Sequence, residues 1–205
     1  ASQRGMQMVA GKVLMDRHAP DNLRDDVTGA ERDCRLLIDR WHGRGRNLYA
    51  VTPRFAATST PEQLAMAGRL LTDHPGVYMQ THVAENRAEV AWIAELFPQA
   101  RSYLDVYAQH GLLNERAVLA HGIWLDDTDR ALLHDSGAQI AFCPSSNLFL
   151  GSGLFGWAVL LPLAGCMNMS GLSGNSKYAC AAPDGVACDS VSGTYTNALH
   201  HNLPS

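Results

Sequence analysis

Residues 76–86, Gly-Val-Tyr-Met-Gln-Thr-His-Val-Ala-Glu-Asn, show the pattern on which the rest of the chain is built. The apolar run Val77 to Met79 predicts a buried strand. His82 and Glu85 follow at its carboxyl end, and residues 86–97 have the spacing of a helix. A strand, a polar strand end and a helix in this order form the repeating unit of an α/β fold.

The same unit recurs along residues 1–155, with five candidate strands and helices between them. Apolar strands joined by crossover helices predict a parallel sheet that is buried on both faces. Periodicity alone does not separate an open, doubly wound sheet from a barrel. No G-x-G-x-x-G or Walker motif follows a strand, which argues against the nucleotide-binding open sheets. The predicted strands are Met6–Met15, Leu48–Val51, Val77–Met79, Ala117–Ala120 and Ala138–Phe142.

Capping residues predict where the helices between these strands begin. Thr28 and Glu31 have the spacing of a capping box. Thr60 precedes a proline, which is favourable at the first helical position. Asn86 and Asp126 are predicted to open two further helices.

Composition excludes several classes of protein. The 205 residues are 46% hydrophobic and 18% charged with a net charge of −4, and the basic residues form no stripe that would bind nucleic acid. No segment approaches 18 uninterrupted apolar residues, so no membrane-spanning helix is expected. Five cysteines without a C-x-x-C pair favour a reducing compartment, by default the cytoplasm. The first residue is not methionine, and we expect an internal piece of a longer protein.

The last 50 residues, 156–205, differ from the first 155. Of the 16 basic and 20 acidic residues in the chain, only Lys177, Asp184 and Asp189 lie there, which leaves 33 before them. Gly, Ser, Ala and Cys dominate, and neither helical nor strand periodicity persists. We predict a partial barrel over residues 1–155 and an unpatterned tail that is a frame-shifted or alternative C-terminus. The alternative is a natural Gly/Ser-rich extension.

Two histidines at strand ends make a metal site plausible. His82 and His121 both follow apolar strands, and the carboxyl ends of parallel strands share one rim of a barrel. Neutral imidazole is a zinc ligand, and a nearby carboxylate such as Glu85 can carry protons. The alternative is a strand-end histidine bonded to a backbone carbonyl, with Glu85 at a solvated helix start. Two imidazoles are also fewer than the three protein ligands of a typical catalytic zinc site.

Other strand ends carry further candidates. Arg54 and Phe55 suit a planar heteroaromatic substrate, because a guanidinium donates to ring acceptors as it does to guanine O6 and N7, while an aromatic ring stacks. The alternative is a surface arginine beside a core phenylalanine. Cys143 has no dedicated base and is interpreted as a structural thiol. Asn147 could orient a loop or a ligand.

Taken together, these motifs resemble the amidohydrolase superfamily, in its metal-dependent deaminase and chlorohydrolase group. Residues 80–86 (Gln-Thr-His-Val-Ala-Glu-Asn) and 120–122 (Ala-His-Gly) are similar to segments found across that group. Residues 52–55 (Thr-Pro-Arg-Phe) and 147–153 (Asn-Leu-Phe-Leu-Gly-Ser-Gly) narrow the resemblance to its guanine-deaminating branch.

The resemblance implies a (β/α)₈ TIM barrel that binds one zinc ion and hydrolyses guanine to xanthine and ammonia. By position, His82 and His121 would be metal ligands and Glu85 the catalytic proton shuttle, while Arg54 and Phe55 would hold the purine. The complete enzyme would act on a small purine base, with no nucleic acid or membrane partner, and a homodimer is an option for it.

The sequence also departs from the family. The family's first strand carries a His-x-His pair and a later strand a zinc-binding aspartate, and neither has a counterpart here. A whole barrel takes about 250 residues, so residues 1–155 correspond to only part of one. We therefore expect two of five metal ligands and no activity from the chain by itself. Alternatives are an amidohydrolase acting on another purine or triazine ring, or a non-catalytic remnant that pairs with another chain.

Overall fold

The structure, a computed structural model, describes residues 5–156 of the chain. Its elements alternate as the sequence predicts, with parallel strands and intervening helices. The six strands are β1 (Met8–Ala10), β2 (Val13–Leu14), β3 (Asn47–Pro53), β4 (Tyr78–Val83), β5 (Ala117–His121) and β6 (Gln139–Ala141). The six α-helices are α1 (Val27–Trp41), α2 (Pro61–Asp73), α3 (Arg87–Leu96), α4 (Tyr103–Gln109), α5 (Asp127–Ser136) and α6 (Pro144–Phe149).

All strand pairs are parallel, in the order β1-β3-β4-β5-β6, with β2 also paired to β3. From β3 onward each neighbour is the next strand along the chain, and β1 and β2 lie together along the edge of β3. This is the arrangement of consecutive βα units in a barrel. Helices α1 and α2 pack against β3 and against each other. The expected fold class, a partial (β/α)₈ barrel, is confirmed for the described residues.

The edge strand is broken, where the sequence predicts one strand over residues 6–15. β1 pairs with the amino half of β3 and β2 with its carboxyl half. Gly11 lies between them, and a Cβ at this position would be 1.8 Å from the carbonyl oxygen of Ala50. The backbones therefore approach more closely than a side chain permits, and this contact interrupts the edge strand.

Three of the four predicted helix starts are confirmed, and one is wrong. Thr60, Asn86 and Asp126 each accept a hydrogen bond from the backbone N–H three residues on. Helix α1 is capped by Asp26, which accepts from Gly29, and not by the predicted box at residue 28. The carboxylate that would complete that box, Glu31, instead pairs with two arginines on the helix surface.

The core lies between the strands and the helices, and its largest fully buried side chains include Tyr107, Leu64, Leu70, Met79 and Leu119. In the described part of the chain no helix is long and apolar enough to cross a membrane. The predicted tail is residues 156–205, and all of it after Gly156 lies outside the described residues, so its origin stays a prediction.

Candidate active site

The predicted site residues converge at the carboxyl ends of β3, β4 and β5. In the register of the sheet Val83 lies opposite His121, and the N–H of His82 donates to the carbonyl oxygen of Arg54 at 3.3 Å. Because β4 ends at Val83, the chain turns immediately before Glu85 and brings that carboxylate back over the same rim. Parallel pairing thus gathers residues that are up to 67 positions apart in sequence.

The two imidazoles lie side by side. The ring centroids of His82 and His121 are 5.4 Å apart with an interplanar angle of 24°. Nδ1 of His82 is 2.7 Å from the carbonyl oxygen of Arg54, and Nδ1 of His121 is 2.7 Å from Oδ1 of Asn147. Both rings therefore have an acceptor at Nδ1, and protonation there leaves a lone pair on each Nε2.

The strand ends that carry these rings adopt unusual backbone conformations. Ala84 and His121 have φ values of 47° and 74°, in a region that non-glycine residues seldom occupy. Hydrogen bonds hold both in place, since Val83 accepts from Gly122 and Ala84 accepts from Ile123 and Trp124. Strain of this kind concentrates at functional sites, where the surrounding structure over-determines it.

Glu85 lies between His121 and the loop that follows α6. Its Oε2 is 3.6 Å from Nε2 of His121, which exceeds a hydrogen-bond distance. Its Oε1 accepts a long hydrogen bond of 3.4 Å from the hydroxyl of Ser152, a buried residue. The carbonyl oxygen of Ser152 in turn accepts from the indole N–H of Trp124 at 3.1 Å. Ser152 thus orients the carboxylate through one oxygen, and the other oxygen is open to a proton donor or acceptor.

Arg54 and Phe55 form one wall of a cleft of about 420 Å³ beside His82 and Glu85. The Arg54 guanidinium lies 5.2 Å from the centroid of the Phe55 ring. This volume lies in the range of small-molecule sites, about 300–1,000 Å³. The cleft is also lined by Asn86, Ala88, Glu89 and Trp92.

The sequence analysis missed the α3 side of this cleft. Ala88, Glu89 and Trp92 are spaced i, i+1 and i+4 and lie on one helical face that continues from Glu85. The Trp92 ring contacts Phe55 edge-on at a centroid distance of 6.3 Å. These residues could have been predicted by counting three, four and seven positions forward from Glu85, which is helical spacing.

A buried tyrosine hydroxyl, also missed, joins the ends of β3 and β4. Tyr107 on α4 donates to the carbonyl oxygen of His82 at 2.7 Å and accepts from the N–H of Ala56 at 3.0 Å. Thr81 Oγ1 lies 3.1 Å from the same hydroxyl. Burial raises the pKa of Tyr107 well above its ordinary value, so this hydroxyl keeps its proton.

The residues present fit part of a metal site. Two imidazoles, each with an oxygen 2.7 Å from Nδ1, offer the outer hydrogen bonds that metal-binding histidines usually have. Within residues 5–156, however, no cluster of three or more His, Cys, Asp or Glu side chains is placed to hold an ion. A catalytic zinc typically takes three protein ligands. The described residues therefore fit zinc as two of its ligands.

Comparison with known proteins agrees with this geometry. A sequence model of the amidohydrolase family matches residues 1–167. The chain is 50% identical to guanine deaminase of Escherichia coli K12 over 155 residues, which cover 76% of this chain and 35% of that protein. The chain thus spans about a third of the length of that curated relative.

The comparison with solved structures also finds guanine deaminases. The structure of E. coli guanine deaminase superposes with a TM-score of 0.78 at 48% identity, covering 80% of this chain and 38% of that one. Guanine deaminase from C. acetobutylicum, solved with guanine bound in its active site, superposes with a TM-score of 0.74 at 27% identity. That match covers 79% of this chain and 39% of the other.

Proposed function

This chain belongs to the amidohydrolase family, and we propose that it is the central part of a zinc-dependent hydrolase that converts guanine and water to xanthine and ammonia. The observation that carries the proposal is the shared cleft, in which Arg54 and Phe55 face His82 and Glu85. The likeness to guanine deaminases supports the choice of substrate.

In this proposal His82 and His121 supply two ligands to one zinc ion through Nε2. When bound, zinc acts as a Lewis acid and makes water nucleophilic near neutral pH. The residues themselves do the positioning. The carbonyl oxygen of Arg54 and the amide of Asn147 fix the two rings, so that neither has to reorient when a ligand arrives.

Glu85 moves the proton. Its carboxylate takes a proton from the attacking water, delivers it to the purine ring, and then passes the second proton to the departing amine. The hydroxyl of Ser152 holds one carboxylate oxygen and leaves the other facing His121. The exchange of protons balances, since water gives one proton to the ring nitrogen and one to ammonia.

Arg54 and Phe55 bind and orient the purine. The guanidinium is exposed within the cleft and donates to the acceptors of the guanine ring, which adenine presents in a different pattern. The aromatic ring of Phe55 stacks on the base. Together they select a planar ring with acceptor atoms along one edge.

Guanine binding tests this assignment without requiring turnover. We expect Arg54→Lys to weaken guanine binding about tenfold, because lysine loses the bidentate fork. Isothermal titration of the 205-residue chain with guanine and with adenine measures this. Arg46→Lys is the matched control, since Arg46 is exposed at the opposite, amino end of β3. Equal affinities for the two variants, or a preference for adenine or a chlorinated triazine, would remove the role assigned to Arg54.

Turnover tests the metal site. The described residues contribute two imidazoles, and the sequence has no counterpart of the family's His-x-His pair or zinc-binding aspartate. We therefore infer that hydrolysis needs ligands that this sequence does not supply. The chain with added zinc is therefore expected to form no xanthine above the rate without protein. Appreciable turnover would contradict this part of the proposal and leave the substrate assignment intact.

We also propose a cytoplasmic location. Both cysteines in the described part of the chain, Cys34 and Cys143, are free thiols. Burial raises the pKa of the Cys34 thiol, which keeps it protonated and unreactive. Thiols of this kind are usual in a reducing compartment.

A further inference from the structure

We propose that Asn147 is a positioning residue whose side-chain oxygen holds neutral His121 in the tautomer with its proton on Nδ1. This tautomer leaves the lone pair on Nε2, the atom that lies 3.6 Å from Oε2 of Glu85. The tautomer is a property of the chain alone. Only its use, binding a metal through Nε2, depends on the proposed function.

Distances decide which nitrogen carries the proton. A neutral imidazole has one N–H, and His121 has one acceptor candidate at each end. Oδ1 of Asn147 is 2.7 Å from Nδ1, whereas Oε2 of Glu85 is 3.6 Å from Nε2. The first distance is that of a strong hydrogen bond and the second exceeds the usual range. The proton is therefore more stable on Nδ1.

The orientation of the Asn147 amide follows from the length of its contact with His121. With Oδ1 toward His121, Nδ2 of Asn147 is buried without a partner among the described residues. With the amide reversed, Oδ1 loses its partner instead, and the ring proton must move to Nε2, where its acceptor is too distant. Either orientation leaves one donor and one acceptor without a close partner. The 2.7 Å contact between Nδ1 of His121 and Oδ1 of Asn147 has the length of a short N–H···O bond, so the first orientation is favoured.

Both partners are buried and held by their backbones. Asn147 is 2% exposed and His121 is 4% exposed, so water does not readily replace either group. The N–H of Asn147 donates to Cys143, and its carbonyl oxygen accepts from Ser152, each at 2.9 Å. His121 is held by its pairing with Val83. Since neither backbone is free to shift, the side-chain contact between them is preorganised.

The second histidine provides an internal comparison. Nδ1 of His82 is bonded to a backbone carbonyl, that of Arg54, at the same 2.7 Å. A substitution at Asn147 removes the acceptor of one imidazole and leaves the acceptor of the other. An effect confined to His121 is therefore the signature of positioning by Asn147, whereas general loosening of the fold would alter both rings.

The experiment is heteronuclear NMR of the ¹⁵N-labelled 205-residue chain without metal, which reads the tautomer from the imidazole nitrogen shifts. A pH of about 8 is chosen, above the ordinary histidine pKa of about 6.5. We expect His121 to carry its proton on Nδ1 in the unaltered chain. Asn147→Leu should shift it toward Nε2, and Asn147→Asp, which keeps an acceptor oxygen, should restore Nδ1. His82 should remain unchanged in both variants.

Two results would overturn the inference: a proton on Nε2 of His121 in the unaltered chain, or no change in Asn147→Leu. His110, bonded to Val106 through Nδ1 at 2.7 Å and remote from the site, reports whether each variant is folded. Should Asn147→Leu lose that signal, the unaltered chain and Asn147→Asp still decide the tautomer.

A zinc titration followed by the same spectra tests the use of the tautomer. Loss of an outer hydrogen bond typically lowers metal affinity 10–100-fold, and we expect a loss in that range for Asn147→Leu with recovery in Asn147→Asp. Failure of guanine binding with the tautomer as expected would count against the proposed function alone. A wrong tautomer would count against the role of Asn147 alone.

Discussion

At the scale of single residues, the hydroxyl of Tyr107 forms hydrogen bonds that connect two sides of the cleft. It bonds the carbonyl oxygen of His82 and the N–H of Ala56, and it lies beside the hydroxyl of Thr81. These groups lie at the end of β4 and in the segment that follows β3, next to His82 and Arg54. One buried side chain on α4 therefore fixes the spacing between the substrate side and the metal side of the cleft.

Tyr107→Phe removes this hydroxyl and leaves a buried N–H and a buried carbonyl without their partner. We expect the free energy of unfolding to fall by about 1–3 kcal/mol, measured by urea denaturation. Tyr78→Phe is the control on the same sheet, since the Tyr78 ring packs against the guanidinium of Arg116. That change should remain within about 0.5 kcal/mol. Identical midpoints for the two variants would show that the Tyr107 network is energetically unimportant.

The site residues that the sequence could predict are those at strand ends. His82, His121 and Arg54 each follow an apolar run, and parallel pairing brings such positions together. The contacts of Asn147 with His121 and Ser152 with Glu85 join residues 26 and 67 positions apart across helices, where no periodicity relates them. The roles proposed for these residues remain predictions.

At the scale of elements, helix α2 contains a glycine for a reason other than flexibility. Gly68 lies in the middle of the helix, where glycine costs about 1 kcal/mol relative to alanine. A Cβ at Gly68 would be 2.1 Å from the carbonyl oxygen of His110. The loop after α4 thus packs directly on the helix backbone, and a backbone atom cannot move aside as a side-chain end can.

Gly68→Ala is therefore expected to destabilise the protein although it improves helix propensity. Overpacking typically costs about 1–3 kcal/mol, which exceeds the propensity gain of about 1 kcal/mol. Thermal or urea unfolding measures the difference. Ala65→Gly, at a half-buried position of the same helix, should cost only the propensity term. A more stable Gly68→Ala variant would show that the His110 carbonyl moves freely.

The start of a helix could be predicted where the sequence offers only one capping residue. Thr60 followed by proline has a single interpretation and caps α2 as predicted. Before α1, Asp26 and Thr28 both offer capping oxygens, and Asp26 caps because the partner expected for Thr28, Glu31, pairs with Arg35 and Arg69. The sequence analysis does not predict helix α6, because its six residues are too few for helical periodicity to be recognised.

At the scale of the whole molecule, periodicity predicted a parallel α/β sheet but did not separate an open sheet from a barrel. Consecutive strand order and the superposition on complete guanine deaminases identify the partial barrel. The distinction depends on how the strands curve and close into a ring, which is a property of the whole sheet and not of any one strand. Local sequence does not contain that information.

Stability at high pH depends on the molecule as a whole, because several buried acids share one unfolding transition. Burial raises the pKa of Tyr49, Tyr103 and Tyr107, and also that of the Cys34 thiol. In the unfolded chain these groups ionise near their ordinary values, about 8.5 for the thiol and about 10 for tyrosine. Above those values the folded state holds more protons than the unfolded state, so the free energy of unfolding decreases as pH rises.

We therefore expect stability to be insensitive to these groups up to about pH 8, to decline above about pH 8.5 and to decline most steeply above about pH 10. Each tyrosine contributes at most about 1.4 kcal/mol per pH unit. Urea unfolding at several pH values measures the slope. Tyr107→Phe should reduce the tyrosine contribution to the decline above pH 10 by about one third, because it removes one of three such tyrosines. A spectrophotometric titration in which every tyrosine of the folded chain ionises near pH 10 would contradict this. Their burial would then be too transient to support the Tyr107 contacts that join the two strands of the site.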